Sequence, residues 1–444
     1  MDNLRFYIQT FGCQMNDHDS AVLARLLEEQ GHLEVETAEG ADVILLNTCA
    51  IRERAEQKVY SQLGRYRFLK EKRPEIVLGV GGCVAQGEGR KVLRRAPYVD
   101  LVFGTRTLHR VPELVEAVRS GRRQVVATAL DDDPVALATL YAHAAGRGPR
   151  AYVTVMQGCD NYCAYCVVPY VRGRELSRPA DELVEEVRRL AAEGVVEVTL
   201  LGQNVNSYGQ KPPGEVDFPS LLRHVAAVDG IRRVRFTTSH PKDLSDDLIR
   251  AFAEVPGVMP HIHLPVQSGA DRVLTAMNRR YTVAHYLGLV ERLRRLRPDI
   301  ALTSDLIVGF PGETDAEFEA TLALMEQVVF DGLFSFKYSL RPGTRAAELT
   351  DPVPEAVKEE RLARLQRLQG EHSLRRNRAM EGQVFSVLVE GGSKVGDGQV
   401  MGRTPQNKIV NFAGEVAWRA REVPVRVTAA AVNSSRGEAV GPAG

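Results

Sequence analysis

Residues 158–166 read GCDNYCAYC and directly follow a predicted strand near Tyr152 to Met156. The three cysteines of this stretch, Cys159, Cys163 and Cys166, are spaced so that one loop can bring three thiolates to one face of an iron-sulfur cluster. Three protein ligands leave one iron of a 4Fe-4S cube free to bind another molecule. A structural zinc site fits less well, because zinc usually takes four Cys or His ligands. The spacing therefore predicts a 4Fe-4S cluster with an open iron.

The region around this loop alternates between strand-like and helical patterns. Six predicted β/α units indicate a partial or open relative of the β/α barrel. The predicted strands lie near Tyr152 to Met156, Val196 to Leu201, Val234 to Thr237, Ile262 to Leu264, Leu302 to Val308 and Phe334 to Tyr338. We assign residues 145–372 to this central domain.

The first part of the chain, residues 1–120, shows a similar alternation and predicts an open parallel α/β sheet. Its predicted strands are Phe6 to Gln9, Val43 to Leu46, Ile76 to Val80 and Leu101 to Phe103. Cys13, Cys49 and Cys83 each follow one of the first three strands, at the sheet edge where open parallel sheets bind ligands. Isolated cysteines usually pack as small apolar residues. The shared position of these three favours instead a second 4Fe-4S cluster with an open iron.

Two further segments complete the chain. Residues 121–144 hold three consecutive acids and a proline without a clear pattern, which predicts a linker. Residues 373–440 hold short strands separated by glycine turns, which predict a small antiparallel β-barrel or sandwich. The predicted fold class is therefore α/β, with an N-terminal open sheet, a central partial barrel and a small C-terminal β-barrel.

Composition and charge narrow the class of protein. With 444 residues, 44% of them hydrophobic, the chain can bury several cores. No apolar run approaches the roughly 20 residues that span a bilayer, so we expect a cytoplasmic protein without a membrane partner. The cytosol keeps thiols reduced, which favours metal ligation over disulfides for the six cysteines. Because the net charge is zero, a nucleic acid would have to bind local basic patches.

The cysteine segments resemble those of a known family, the radical S-adenosylmethionine (SAM) methylthiotransferases, and most closely the bacterial tRNA branch called MiaB. The C-x3-C-x-aromatic-C pattern, with Tyr165 before the third cysteine, is similar to that of the radical SAM superfamily. The other matching segments are TFGCQMN at 10–16, NTC at 47–49, GGC at 81–83, CVVPY at 166–170, LGQNVN at 201–206, HLPVQSG at 263–269 and GRTPQNK at 402–408. The likeness covers nearly the whole chain.

This resemblance implies an N-terminal methylthiotransferase domain, a radical SAM core and a C-terminal RNA-binding TRAM domain. It implies SAM and two 4Fe-4S clusters as cofactors, the second cluster being an auxiliary one that delivers sulfur. The implied reaction is methylthiolation of carbon 2 of an isopentenyl-modified adenosine next to the tRNA anticodon, with two SAM molecules and cluster-bound sulfur. A radical is needed because no side-chain base can deprotonate that carbon near neutral pH. The expected partners are the tRNA anticodon loop, an external electron donor and a sulfur source, and we expect a monomer.

Contacts to SAM and to RNA are predicted at two places. A nucleoside that lies across a barrel mouth needs glycines for close approach and polar groups at the C-terminal ends of strands. The SAM candidates are Tyr165, Gly202, Gln203, Asn204, Ser239, Gln267, Ser268, Gly309 and Glu313. The TRAM-like segment contributes Arg403 and Lys408 as RNA-binding candidates, although Lys408 stands where the family more usually has Arg.

Three other functions remain open at this point. A sister enzyme methylthiolates an aspartate of a ribosomal protein, and another branch acts on threonylcarbamoyl-modified adenosine in tRNA. A non-catalytic iron-sulfur electron carrier would bind neither SAM nor RNA. The TRAM-like segment and the CVVPY run at 166–170 favour a tRNA substrate over the ribosomal protein.

Overall fold

The structure is a computed structural model that describes residues 3–49, 53–130, 141, 148–211, 216–350 and 352–441. Two parallel α/β regions come first, and a β-barrel follows them. The helices of the described residues are Gln14–Glu29, Glu53–Lys72, Gly82–Glu88, Arg90–Arg95, Val111–Arg119, Val168–Arg172, Ala180–Ala192, Phe218–Ala226, Asp246–Glu254, Asp271–Ala276, Val283–Leu296, Asp315–Val328 and Glu355–Arg378. Within this described part of the chain, every helix is too short or too polar to cross a membrane.

The N-terminal sheet is parallel throughout, as predicted. Its strands are β1 Arg5–Phe11, β2 Leu33–Glu34, β3 Val43–Thr48, β4 Val77–Gly81, β5 Leu101–Phe103 and β6 Val125–Ala127, in the spatial order β2-β1-β3-β4-β5-β6. Strands β3 and β4 are buried along their whole length, because helices cover both faces of a parallel sheet. The order reverses between β1 and β3, and such a switch point opens a crevice at the C-terminal ends of the strands.

The predicted linker, residues 121–144, contains strand β6 of this sheet. A strand of three residues is too short to give a periodic pattern, which is why the sequence showed only a weakly patterned segment there. Residues 131–140 and 142–144 of the predicted linker lie outside the described residues. The domain boundaries themselves remain predictions.

The central domain consists of two parallel three-stranded sheets. They are ordered β11-β10-β7 and β12-β13-β14, with β7 Arg150–Thr154, β10 Glu197–Leu201, β11 Arg233–Phe236, β12 His261–His263, β13 Ala301–Val308 and β14 Gly332–Lys337. A single parallel bridge from Val234 to Val258 joins the two halves. One continuous apolar core lies beneath both sheets, so the arrangement is the partial β/α barrel that the six predicted units indicated.

The C-terminal region is a closed five-stranded barrel, in the order β15-β16-β17-β19-β18. Its strands are β15 Val384–Gly392, β16 Gln399–Arg403, β17 Ile409–Ala413, β18 Glu422–Ala430 and β19 Ser435–Ala439. The prediction of an antiparallel barrel needs one correction, because β17 and β19 pair in parallel. Strand directions cannot alternate strictly around a ring with an odd number of strands, so five strands require at least one parallel pair.

Candidate cluster sites and cofactor crevice

The first cysteine triad lies at the switch point of the N-terminal sheet. Cys13 follows β1 and caps the helix Gln14–Glu29, Cys49 follows β3, and Cys83 lies in the helix Gly82–Glu88 that follows β4. Because β1, β3 and β4 are neighbours, their C-terminal ends bring the three thiols together. A hydrogen bond with the Cys49 thiol lowers the pKa of Cys13 to about 6. Burial raises the pKa of the Cys83 thiol.

Buried amides and one glycine fix the backbone of this site. The side chain of Asn16 donates to Asn47 Oδ1 at 3.0 Å and to the Thr48 carbonyl at 3.2 Å, which ties the helix after β1 to the end of β3. Asn47 in turn donates to the Asn16 carbonyl at 2.9 Å. Gly82 has φ +87°, and a Cβ atom at this position would collide with the Thr48 carbonyl. The turn from β4 to the helix of Cys83 therefore requires glycine.

The second triad lies in the loop between two short paired strands, β8 Met156–Gln157 and β9 Leu176–Ser177. Burial raises the pKa values of Cys159 and Cys166 to about 12, so both thiols are neutral before they bind a metal. Gly158 begins the loop with φ +86°, where a Cβ would collide with a backbone carbonyl. The antiparallel pair closes the base of the loop and holds the triad at the C-terminal end of β7 and β10.

A buried guanidinium lies against this triad. Arg279 donates from Nη1 to Cys163 Sγ at 3.3 Å and from Nη2 to the Pro265 carbonyl at 2.7 Å. The imidazole Nε2 of His240 is 4.0 Å from the same sulfur, and burial lowers the pKa of His240 far below its ordinary value. The positive charge beside Cys163 is thus carried by arginine, while the histidine is neutral.

The donor sets fit iron-sulfur clusters better than single metal ions. Among the described residues, no group of three or more His, Cys, Asp or Glu is spaced to hold one ion. A structural zinc ion usually takes four Cys or His ligands, whereas three thiolates can hold a cubane cluster with one iron open to another ligand. Arg279 lies beside the second triad and the guanidinium of Arg172 beside the first, and buried thiolate clusters need such positive partners.

The predicted SAM residues line the same edge of the central domain as the second triad. Gly202, Gln203 and Asn204 follow β10, Ser239 follows β11, Gln267 and Ser268 follow β12, Gly309 and Glu313 follow β13, and Tyr165 is in the cysteine loop. The carbonyl of the Gln203 side chain accepts a hydrogen bond from the Gly158 amide at 2.5 Å, which links the crevice to the cluster loop. The buried hydroxyl of Ser239 has no hydrogen-bond partner among the described residues and is free to bind a ligand.

Two of these candidates already have structural partners. Asn204 donates to Asp243 Oδ2 at 2.7 Å and accepts from the backbone amide of His240 at 3.1 Å, so it positions the neutral histidine. Glu313 accepts from the Gly309 amide and from Arg361 Nη1, both at 2.7 Å. This pair holds the helix Glu355–Arg378 on the loop after β13. Direct contact of either side chain with SAM stays a prediction.

The two predicted RNA-binding residues lie where the C-terminal barrel meets the central domain. Lys408 Nζ is 3.1 Å from Asp331 Oδ1, and burial lowers the pKa of Lys408. Arg403 Nε is 2.9 Å from Glu390 Oε1, and its side chain is one quarter exposed, 25%. RNA binding by both residues stays a prediction. At Lys408, a phosphate would have to displace Asp331 from a largely buried ion pair.

A buried network of arginines joins the central domain to the C-terminal barrel. It lies at the N-terminal ends of the central-domain strands. Glu197, fully buried, lies 2.7 Å from Arg150 Nε and 3.1 Å from Arg235 Nε. Arg233 donates to Glu422 Oε1 of the C-terminal barrel at 3.0 Å. Arg235 donates to two carbonyls of the same barrel at 2.7 and 3.0 Å. The C-terminal barrel therefore covers the edge of the central domain opposite the cysteines.

Sequence reasoning missed these arginines as well as Arg172 and Arg279. Arginine is mostly a surface residue, so the sequence gives no reason to expect buried guanidinium groups. Arg172 ends a helix of five residues, which is too short to show a buried face. Arg279 lies in an irregular segment between two residues with positive φ, a conformation that only the structure reveals.

Three family models match the chain. They are the uncharacterized protein family UPF0004 at residues 5–104, the radical SAM superfamily at 153–325 and the TRAM domain at 378–440. Among similar structures, a radical SAM methyltransferase, TsrM from Kitasatospora setae, has a TM-score of 0.59 at 16% identity, over 78% of this chain and 75% of that chain. OxsB, a cobalamin-dependent SAM radical enzyme, has a TM-score of 0.52 at 9% identity, over 83% and 56%. These two likenesses confirm the fold alone.

Several curated relatives match over nearly the full chain. One from Syntrophus aciditrophicus is 51% identical over 99% of this chain and 95% of its own length. One from Citrifermentans bemidjiense is 52% identical over 98% of each chain. A third, from Methylococcus capsulatus, is 51% identical over 99% of this chain and 96% of its own. All three are named tRNA-2-methylthio-N(6)-dimethylallyladenosine synthase. Identity at this level over the whole length confirms the predicted family resemblance.

Proposed function

Because the chain belongs to the family of tRNA-2-methylthio-N(6)-dimethylallyladenosine synthases, we propose that it methylthiolates carbon 2 of isopentenyl-modified adenosine next to the tRNA anticodon. The enzyme is a radical SAM methylthiotransferase that uses SAM and 4Fe-4S clusters. Cys159, Cys163 and Cys166 would hold one cluster, which would supply the electron for SAM cleavage. Cys13, Cys49 and Cys83 would hold the other cluster, which would supply the sulfur.

One structural observation carries this proposal: a single short segment borders both triads. Cys166 belongs to the second triad, and the chain then forms the helix Val168–Arg172, whose last residue lies beside Cys83 of the first. Six residues span at most about 20 Å, so the two sites are close neighbours along this segment. A reaction that needs a radical from one site and sulfur from the other requires such proximity.

The residues of the chain hold and orient the reactants. Arg279 places a positive charge beside Cys163, and this charge is fixed because a guanidinium does not lose its proton near neutral pH. The crevice at the strand ends offers Gln203, Ser239 and Gln267 as polar contacts to SAM. Burial of Cys159 and Cys163, each 9% exposed, keeps solvent away from the sulfurs that would hold the cluster.

The substrate class is tRNA, as the names of the relatives and the TRAM match indicate. Finer parts of the proposal are an anticodon-loop substrate, an external electron donor, an external sulfur source, a monomeric enzyme and a cytoplasmic location. RNA recognition usually takes place in loops whose bases can be turned outward, and the adenosine beside an anticodon is in such a loop.

The test is a comparison of substrates with anaerobically reconstituted enzyme, SAM and a strong reductant. Nucleosides from digested tRNA, and peptides from the digested ribosomal protein, are analysed by mass spectrometry. We expect a methylthio product from isopentenyl-modified tRNA and none from threonylcarbamoyl-modified tRNA or from the ribosomal protein with the target aspartate. Product from either of the latter two, with none from isopentenyl-modified tRNA, would contradict the proposed substrate. An iron-sulfur electron carrier would not bind SAM. Equilibrium dialysis with SAM tests this alternative separately.

A further inference from the structure

The central domain contributes a buried guanidinium to the cysteine triad of the N-terminal domain. Arg172 is 3% exposed, and its Nη2 is 2.8 Å from Oδ2 of Asp19, which is completely buried. The helix Val168–Arg172 packs on the helix Gly82–Glu88 that holds Cys83. The hydroxyl of Thr105 donates to the Val171 carbonyl at 2.8 Å and fixes this helix on the N-terminal domain.

The partners of Arg172 hold its guanidinium in one orientation. Asp19 accepts from the Tyr141 hydroxyl at 2.9 Å through its other oxygen, so both oxygens of the carboxylate are occupied. Arg172 lowers the pKa of the Cys83 thiol through its charge and a side-chain hydrogen bond, against the larger, opposite effect of burial. Yet the Nη1 nitrogen of Arg172 has no hydrogen-bond partner of normal geometry among the described residues. A buried donor without a partner costs about 1–3 kcal/mol, so this one is expected to have a ligand.

We propose that Arg172 is a positioning residue whose free Nη1 donates to the anionic sulfur, a sulfide or a thiolate, carried by the site of Cys13, Cys49 and Cys83. This inference rests on the proposed function, in which that site holds the sulfur for transfer. Three thiolates and a further sulfur ligand concentrate negative charge in a buried place, which is costly without a cation. Hydrogen bonds to cluster sulfurs also raise the reduction potential. If Arg172 only joined the two domains through Asp19, it would be expected to change neither the binding of the anionic sulfur nor the reduction potential of the cluster.

The experiment isolates this site in the full-length chain. In a background with Cys159, Cys163 and Cys166 replaced by Ala, only the first triad can bind a cluster. The protein is reconstituted anaerobically with iron and sulfide, and methanethiolate serves as the sulfur probe. Electron paramagnetic resonance measures the midpoint potential and the affinity for methanethiolate, with neither tRNA nor turnover. Failure of this background to bind iron at all would count against the proposed cofactor and not against Arg172.

We expect Arg172→Met to bind methanethiolate at least about tenfold more weakly, since a hydrogen bond to a charged group contributes roughly 1.5–3 kcal/mol. Its midpoint potential should shift to a more negative value, because a nearby positive charge is lost. Arg172→Lys keeps the charge and should shift both quantities less. Asp19→Asn weakens the contact that holds the guanidinium in place while the charge of Arg172 remains, and it should therefore weaken methanethiolate binding. This variant tests the proposal even if Arg172→Met binds no cluster, and an unchanged affinity would count against it.

The matched control is Arg178→Met. Arg178 is also buried, with its side chain 2% exposed, and its Nη2 is 2.7 Å from Glu186 Oε2. Its guanidinium lies over the ring of Tyr141, 5.6 Å from the ring centroid, and Arg178 is not among the main influences on the thiol pKa of Cys13 or Cys83. The control should keep the potential and the methanethiolate affinity of the parent. Unchanged potential and affinity in Arg172→Met, together with lower stability of the protein, would assign Arg172 a structural role and overturn the proposal.

Discussion

Replacing Glu197 by Gln should strongly destabilise the contact between the central domain and the C-terminal barrel. The buried carboxylate lies 3.1 Å from Arg235 and 3.9 Å from Arg233, whose side chains are both 2% exposed. Arg233 keeps Glu422 as an anionic partner after the substitution, but among the described residues Arg235 keeps only backbone carbonyls. Burial already lowers the pKa of Arg235 to about 10, which shows how poorly its charge is solvated. One buried charge without a partner costs about 3–5 kcal/mol.

The assay is urea unfolding of the apo-protein, followed by the fluorescence of Trp418. This is the only tryptophan of the chain, and it packs on the core of the C-terminal barrel. The control is Glu185→Gln, which removes an ion pair with Arg188 whose two side chains are more than 60% exposed. Exposed pairs contribute about 0.2–1 kcal/mol, so the control should unfold almost as the parent does. If Glu197→Gln lowered the free energy of unfolding by less than about 1 kcal/mol, the argument that the buried arginines depend on this carboxylate would be refuted.

Three further predictions concern the clusters and the RNA. Reconstituted protein should bind about eight irons per chain, as two cubanes require, and saturation at half that content would contradict two clusters. Replacing the triad Cys159, Cys163 and Cys166 by Ala should abolish formation of 5′-deoxyadenosine, whereas replacing Cys13, Cys49 and Cys83 should leave slow SAM cleavage without methylthio product. Full product from the latter variant would refute the sulfur role of the first triad. Arg403→Glu should weaken tRNA binding in a salt-dependent manner, measured by filter binding, and should leave SAM cleavage without tRNA unchanged. An unchanged tRNA affinity would contradict the RNA-binding role of Arg403.

The sequence predicted those features that depend on position relative to strand ends. Cys13, Cys49 and Cys83 converge because they follow neighbouring parallel strands, and this rule needs no side-chain detail. The sequence could not predict which face each polar residue would present or which partner it would find. Glu313 illustrates this limit, because it resembles a cofactor ligand in the sequence and is bound to Arg361 in the structure. Such pairings join residues that are 48 positions apart and depend on how helices pack.

The same limit applies to the predicted RNA-binding residues, and the position of one of them restricts which part of a tRNA it could contact. Glu197 and Arg233 are the first residues of β10 and β11, so the C-terminal barrel lies at the N-terminal edge of the central domain. The cysteine loop lies at the opposite edge, a distance of about 17 Å along a five-residue strand. Arg403, whose carbonyl accepts from Arg233 at 2.9 Å, therefore lies too far away to contact the reacting base. If it binds tRNA, it binds a part of the molecule remote from the modified adenosine. The substitution Arg403→Glu should consequently raise the KM for tRNA and leave kcat at saturating tRNA unchanged, and a lower kcat with unchanged KM would contradict this placement.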